Sequence, residues 1–132
     1  MTITADTHVL VRALTGDHKR QSAVAKAELA GASAIVLALP ALCELVRVLS
    51  QGYGVAATDF AEAIRCLVDA ENVLVNRPAV DAGLALLQAG GDFADGVIAY
   101  EGRAFGADTF VSFDRKAVKL LQRQGEAARL LS

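Results

Sequence analysis

Short apolar runs alternate with longer helix-patterned segments along the whole chain. Four such runs predict strands, at residues 3–5, 34–39, 72–75 and 109–113. The run at 34–39 is continuous and ends at a proline, as expected of a buried parallel strand. Pro40 and Pro78 each fit the first turn of a following helix, where a missing N–H costs nothing. Strands that alternate with helices predict an α/β fold with a mostly parallel sheet.

The chain is long enough to bury a real core, since it has 132 residues of which 54% are hydrophobic. No linker, repeat or low-complexity segment interrupts it, so we expect a single domain over residues 1–132. Cys43 and Cys66 lie in apolar helical patterns and predict buried, reduced thiols rather than a disulfide. No signal peptide and no membrane-length apolar run is recognisable, which predicts a cytoplasmic protein without a membrane partner.

Acidic residues follow the predicted strands. Asp6 comes directly after the first strand, Asp114 follows the run at 109–113, and Glu44 lies about one turn into the helix that Pro40 opens. Ligand crevices of open α/β sheets lie beyond the carboxyl ends of the strands, so these three acids are predicted at that edge. Asp92 and Asp95 open a later helix and share a face; Asp95 would have to reach the edge from there.

Carboxylates that lie close together at such an edge raise one another's pKa, because like charges repel, and a bound cation would neutralise this repulsion. The chain has only two histidines and no cysteine cluster, so an oxygen-only ligand set favours Mg²⁺ or Mn²⁺ over zinc. A metal site of this kind suits phosphodiester hydrolysis, because the ion lowers the pKa of water and stabilises the leaving oxygen. The net charge of −2 gives the chain no overall positive field that would indicate a nucleic-acid partner, although local basic patches can still bind nucleic acid.

Ordinary structural roles compete with this interpretation. An acid before a helix is usually a cap, which would explain Asp92 and Asp114, and Glu44 could be a solvated helix residue. Asp6 is the hardest to explain in that way, because an acid directly after a buried strand needs a reason. Spacing alone places the metal-site hypothesis only slightly ahead.

Four segments in order, TADTHVLVRAL, ALCELVRVL, GGDFADGVIA and TFVSFDRKA, resemble the PIN-domain ribonucleases, in particular the VapC-type toxins of toxin–antitoxin modules. The resemblance implies a PIN-like three-layer α/β/α sandwich with a mostly parallel central sheet. It also implies that Asp6, Glu44, Asp95 and Asp114 are the catalytic, metal-binding acids. Asp92 matches a frequent extra acid. Ser112 matches a small hydroxyl position that helps to hold the carboxylates.

His8 departs from the family pattern, which usually has asparagine after the first Asp-Thr. Asparagine would support the carboxylates by hydrogen bonds without charge, whereas a histidine titrates near neutral pH and can bind metal. Two interpretations stay open, of which we favour the first. His8 is either a tolerated polar substitution at the rim of the pocket or a residue that contacts an RNA phosphate or the metal.

The resemblance implies an Mg²⁺- or Mn²⁺-dependent ribonuclease that cuts structured RNA such as tRNA or rRNA. It further implies a homodimer that a cognate VapB-like antitoxin silences in a toxin–antitoxin hetero-oligomer. Candidate phosphate contacts, by their distance from the acids along the chain, are Arg12, Arg47, Arg115 and Lys116.

Two other functions compete with the nuclease. A non-catalytic PIN-like module that binds RNA or protein could keep the fold without the chemistry, but all four acids are present. A phosphoacceptor signalling domain would need an adjacent acid pair after the first strand. This chain has Asp6 alone there, and no lysine between Lys26 and Lys116.

Overall fold

The computed structural model describes residues 1–132 and confirms the predicted α/β architecture. The strands are β1 (Thr2–Thr4), β2 (Ala34–Val36), β3 (Val73–Leu74), β4 (Phe110–Ser112) and β5 (Ala128–Leu130). The helices are α1 (Thr7–Thr15), α2 (Lys19–Gly31), α3 (Leu39–Gly52), α4 (Ala57–Asp69), α5 (Arg77–Gln88), α6 (Phe93–Ala104) and α7 (Arg115–Arg123). The chain divides into two compact units, Met1–Asn76 and Arg77–Ser132. The single domain over residues 1–132 stays a prediction.

A parallel three-stranded sheet in the order β1-β2-β3 is the centre of the first unit. Ile35 of β2 is its buried middle position and pairs with Ile3 on one side and Val73 on the other. β2 ends at Val36, earlier than predicted, although the backbone N–H of Leu37 still donates to the Leu74 carbonyl at 3.0 Å. Because β1 and β2 are parallel, the segments that follow them leave the sheet at the same edge.

The helices of the first unit bury the apolar faces that the sequence predicts. α1 packs against α2 and α3, and α3 packs against α4. α3 has its proline in the first turn and buries Leu42, Leu45, Val46 and Leu49. Full burial stabilises the fold by about 1.5–3 kcal/mol for each leucine, so this face holds α3 firmly in the unit.

A hydrogen-bonded cluster around Asp17 joins the ends of α1 and α3. The Tyr53 hydroxyl donates to the Asp17 carboxylate at 2.6 Å, and the Thr15 hydroxyl donates to it at 2.8 Å. The Arg12 guanidinium donates to the same carboxylate at 3.2 Å and to Gln21 Oε1 at 2.7 Å. These partners favour the ionised form, so the Tyr53 bond, the Thr15 bond and the charge of Arg12 lower the pKa of Asp17.

In the second unit, α5 and α6 approach closely through two glycines. A Cβ atom on Gly96 would lie 2.5 Å from the Ala82 carbonyl oxygen, and one on Gly83 would lie 2.7 Å from the Phe93 ring. Phe93 is fully buried. Only glycine leaves room for this contact, so the two helices are held at a fixed separation.

A small parallel sheet and α7 complete the second unit. β4 pairs with β5 in parallel, with Phe110 opposite Ala128. The apolar cluster behind this sheet consists of Leu86, Ala99, Leu120 and Leu121, with Phe110 and Ala128 packed against it. α7 is thereby fixed by its apolar face, and its polar face is left to solvent.

β5 was not predicted, and the run at 109–113 is therefore not the last strand. β5 is only three residues long and contains the exposed Arg129, so no apolar run signals it. Its position comes from the tertiary fold, since the N–H of Leu131 donates to the Ser112 carbonyl at 2.8 Å.

The prediction of two buried thiols is wrong for Cys66, which is exposed, while Cys43 is half-buried. Neither cysteine forms a disulfide. Cys66 lies on the outer side of α4, whose buried face consists of Phe60, Ala61, Ile64 and Val68. None of the seven helices combines the length and the apolar character that crossing a membrane requires.

Candidate active site

Three of the predicted acids line one small pocket in the second unit. Asp92, Asp95 and Asp114 meet there around a cavity of about 200 Å³. The remaining lining residues are Gly90, Gly91, Lys116 and Ala117. We call this cavity the acid pocket. The sequence predicted Asp95 at the start of a helix but did not establish which other acids lie beside it. In the structure Asp95 lines the acid pocket together with Asp92 and Asp114.

Asp114 is held at the pocket by its role as the cap of α7. Its Oδ1 atom accepts the backbone N–H groups of Lys116 at 3.0 Å and Ala117 at 3.1 Å. Its own backbone N–H donates to Ser112 Oγ at 2.9 Å, so this hydroxyl contacts the backbone of Asp114, and its role in holding the carboxylates stays a prediction. Both capping bonds use Oδ1, so Oδ2 is left for a ligand.

Asp92 caps α6 in a similar way, since its Oδ1 atom accepts the Ala94 N–H at 3.0 Å. The interpretation of Asp92 and Asp114 as helix caps is therefore confirmed. A cap fixes one carboxylate oxygen and leaves the other free. Capping and ligand binding are compatible roles for the same side chain.

Asp95 differs from its neighbours because no hydrogen bond or ion pair compensates its charge. It lies in the first turn of α6, half-buried, and accepts no hydrogen bond. Burial, and then the charges of Asp92 and Asp114, raise the pKa of Asp95. Ionisation of Asp95 is unfavourable beside two other carboxylates, and a bound cation would offset this repulsion.

Asp6 lies in the first unit, directly after β1, and it too has a local structural reason. It is exposed and caps α1, with Oδ1 accepting the Val9 N–H at 3.1 Å. The adjacent Thr7 is buried, and its hydroxyl donates to the Ala41 carbonyl of α3 at 3.4 Å. Glu44 is exposed on α3, about one turn beyond Ala41. The start of α1 is thus attached to the helix that carries Glu44.

The candidate phosphate contacts differ in whether other side chains already bind them. The Arg12 guanidinium is engaged by Asp17 and Gln21 within the first unit. Arg47 is exposed on α3, and Arg115 and Lys116 are exposed on α7. Lys116 also lines the acid pocket.

His8 is exposed on the first turn of α1 and lines a cavity of about 860 Å³ between β1, α1 and α2. Asp6 and Arg12 line the same cavity. A rim position beside the first acid is compatible with both interpretations of this histidine.

No group of three or more histidine, cysteine, aspartate or glutamate side chains stands in a geometry that could hold a metal ion. The donor chemistry of the acid pocket nevertheless fits Mg²⁺ or Mn²⁺, because all its side-chain acceptors are carboxylate oxygens. The uncompensated charge of Asp95 points in the same direction.

The family model of the PIN domain matches residues 3–121, which extend from β1 into α7 and include all four predicted acids. The chain belongs to the PIN-domain family. PIN domains are typically metal-dependent nucleases, so the family supports nuclease chemistry, divalent metal and RNA as a partner at this general level. No curated protein is similar enough to match this PIN domain.

Proposed function

We propose that this PIN domain is an Mg²⁺- or Mn²⁺-dependent endoribonuclease and the toxin of a VapC-type toxin–antitoxin module. The observation that carries the nuclease assignment is Asp95, whose pKa is raised by burial and by Asp92 and Asp114 and whose charge no hydrogen bond compensates. Such a group is costly in an apo protein and useful as a ligand. The family membership supports the same conclusion.

In this proposal Asp6, Asp95 and Asp114 would hold the metal directly or through water, and Glu44 would bind it or orient the attacking water. When bound, the ion neutralises phosphate charge and lowers the pKa of water. Asp114 can act as a ligand through Oδ2 while Oδ1 continues to cap α7. Ser112 positions Asp114 through its backbone N–H, and Asp92 maintains the negative potential that attracts the cation.

The toxin assignment, structured RNA such as tRNA or rRNA as the substrate, and a cytoplasmic location rest on the resemblance of the four motifs to VapC-type toxins. The same resemblance supports a homodimer and inhibition by a VapB-like antitoxin. A guanidinium from an antitoxin would suit the acid pocket, because it can replace the charge of a metal with paired hydrogen bonds.

A non-catalytic PIN module is the second candidate, and one observation favours it. The metal-binding geometry is not preassembled anywhere in the chain. A module that had lost its chemistry would bind RNA or protein but would not need Asp95, so its carboxylate could be replaced without functional loss.

Purified protein is expected to cleave structured RNA in Mg²⁺ or Mn²⁺ and to lose at least about a hundredfold in rate in EDTA or on Asp6→Asn substitution. Expression in cells should arrest growth, and the variant should not. Glu71→Gln, an exposed turn acid with no assigned role, is the control and should cleave like wild type. Equal, EDTA-insensitive cleavage by wild type and Asp6→Asn would identify a contaminant and reject the proposal.

A further inference from the structure

A strongly basic surface on α7 is not explained by the fold or by the metal site. We propose that Arg115, Lys116, Lys119 and Arg123, here called the basic face, hold the phosphates of the RNA strand next to the bond that is cut. This inference rests on the proposed nuclease function, which it extends to the path of the substrate.

The basic face is a continuous line along one side of α7. Its four residues are exposed, while Ala117, Val118, Leu120 and Leu121 form the buried side. Arg115, Lys119 and Arg123 are spaced four residues apart, so each lies about 6 Å further along the helix than the last. A line of evenly spaced cations is suited to an extended polyanion.

No carboxylate neutralises this line. None of the four residues forms an ion pair, and Asp114 at the start of the helix uses Oδ1 for capping. Glu126, the acid that follows α7, is paired with Arg103 at 3.2 Å. The helix dipole favours Arg123 in the last turn but not Arg115 and Lys116 in the first, and like charges one turn apart destabilise a helix, so helix stability does not account for the whole line.

The basic face borders an open cleft of about 560 Å³ whose other lining residues are Ala89, Gly90 and Leu120. Gly90 has φ +99°, and no atom lies within 4 Å of the position a Cβ would take, so the space beside Gly90 in this cleft is open. Gly90 and Lys116 also line the acid pocket. The cleft and the acid pocket are therefore adjacent along α7.

This adjacency favours an RNA strand over an acidic protein segment as the occupant. A phosphodiester that enters the acid pocket brings its charge to a metal-dependent site, whereas a carboxylate-rich peptide would meet three carboxylates. The face has no aromatic residue for stacking on bases. Phosphate contacts alone predict binding that depends on salt but not on sequence.

The test compares a Lys119→Ala, Arg123→Ala double variant with a control of equal charge, Lys26→Ala, Arg129→Ala. Lys119 and Arg123 line the cleft but not the acid pocket, and the control residues are exposed elsewhere. Affinity for structured RNA and for a sequence-scrambled RNA is measured by fluorescence anisotropy in EDTA over a salt series. Thermal unfolding verifies that both variants are folded.

We expect the double variant to bind both RNAs at least about tenfold more weakly and the control to bind like wild type. The slope of log K against log salt should fall by about 1.4, since each lost single-strand phosphate contact removes about 0.7. In the cleavage assay KM should rise while kcat stays near wild type, because the acid pocket is intact.

Equal affinities and slopes for the double variant and wild type would overturn the inference, as would an equal loss in the control. Polyglutamate serves as a probe for an acidic protein partner. If wild type binds polyglutamate as tightly as RNA, and the double variant loses affinity for both to the same extent, the face is a protein-binding site and the inference is wrong. If the protein never cleaves RNA but only the double variant loses RNA binding with the reduced slope, the basic face is an RNA site and the nuclease proposal alone fails.

Discussion

Replacing Asp95 with asparagine is expected to abolish metal-dependent RNA cleavage while making the metal-free protein harder to unfold. The two effects have one cause. Burial and the charges of Asp92 and Asp114 disfavour the ionised Asp95 carboxylate and raise its pKa. Asparagine removes the cost of ionising this half-buried carboxylate, and it also removes the negative charge that binds a cation. A loss of at least about a hundredfold in cleavage rate should accompany the gain in stability.

The pH dependence of stability gives an independent check in EDTA. Because the pKa of Asp95 is raised in the folded state above the usual 3.8, the native protein binds more protons than the unfolded chain between these two values. The Asp95 contribution to the free energy of unfolding therefore falls as pH rises through this window. In Asp95→Asn this decline should be missing, whereas it should remain in Asp108→Asn, a control acid exposed in the same unit.

Thermal unfolding with and without Mn²⁺ completes the comparison. Wild type and Asp108→Asn should gain stability from the ion, and Asp95→Asn should gain little. An Asp95→Asn protein that is less stable than wild type without metal, or that still cleaves RNA at the wild-type rate, would contradict the proposed role of Asp95.

Substituting Gly96 with alanine is expected to cost about 3 kcal/mol of the free energy of unfolding and to lower the melting temperature by about 10 °C. The new Cβ would lie 2.5 Å from the Ala82 carbonyl oxygen and 2.8 Å from Gly83 Cα. Both are backbone atoms of α5, so no side chain can move to relieve the overlap. The two helices would have to separate.

Gly102→Ala is the matched control on the same helix. Its Cβ would meet only the Ala107 Cβ at 3.6 Å, an ordinary contact. Alanine is a better helix former than glycine, so this variant should gain about 0.5 kcal/mol. Circular dichroism melts of both variants check the prediction. Equal melting temperatures for the two would show that α5 and α6 do not depend on the close approach at Gly96.

The four predicted strands and the acids that follow them were visible in the sequence because each rests on a local pattern. Apolar runs marked β1 to β4, and Pro40 marked the start of α3. Asp114 was recognisable both as a helix cap and as a metal-site candidate. Its capping bonds use Oδ1, so Oδ2 remains for a metal ion.

The rest depended on tertiary contacts that leave little trace in a single sequence. β5 is too short and too polar to be recognised without β4 as its partner. The close packing at Gly83 and Gly96 requires knowing which helices meet. Asp6 was judged the acid least explained by a capping role, yet α1 begins at Thr7, directly after Asp6, and Asp6 is its cap.

The proposal that acidic residues hold a catalytic metal is tested most directly by a Mn²⁺ titration that follows bound Mn²⁺ by electron paramagnetic resonance and RNA cleavage in the same samples. We predict that the cleavage rate rises in proportion to protein-bound Mn²⁺ and that Asp95→Asn lowers both together. Full cleavage without bound Mn²⁺, or undiminished Mn²⁺ binding by Asp95→Asn, would contradict it.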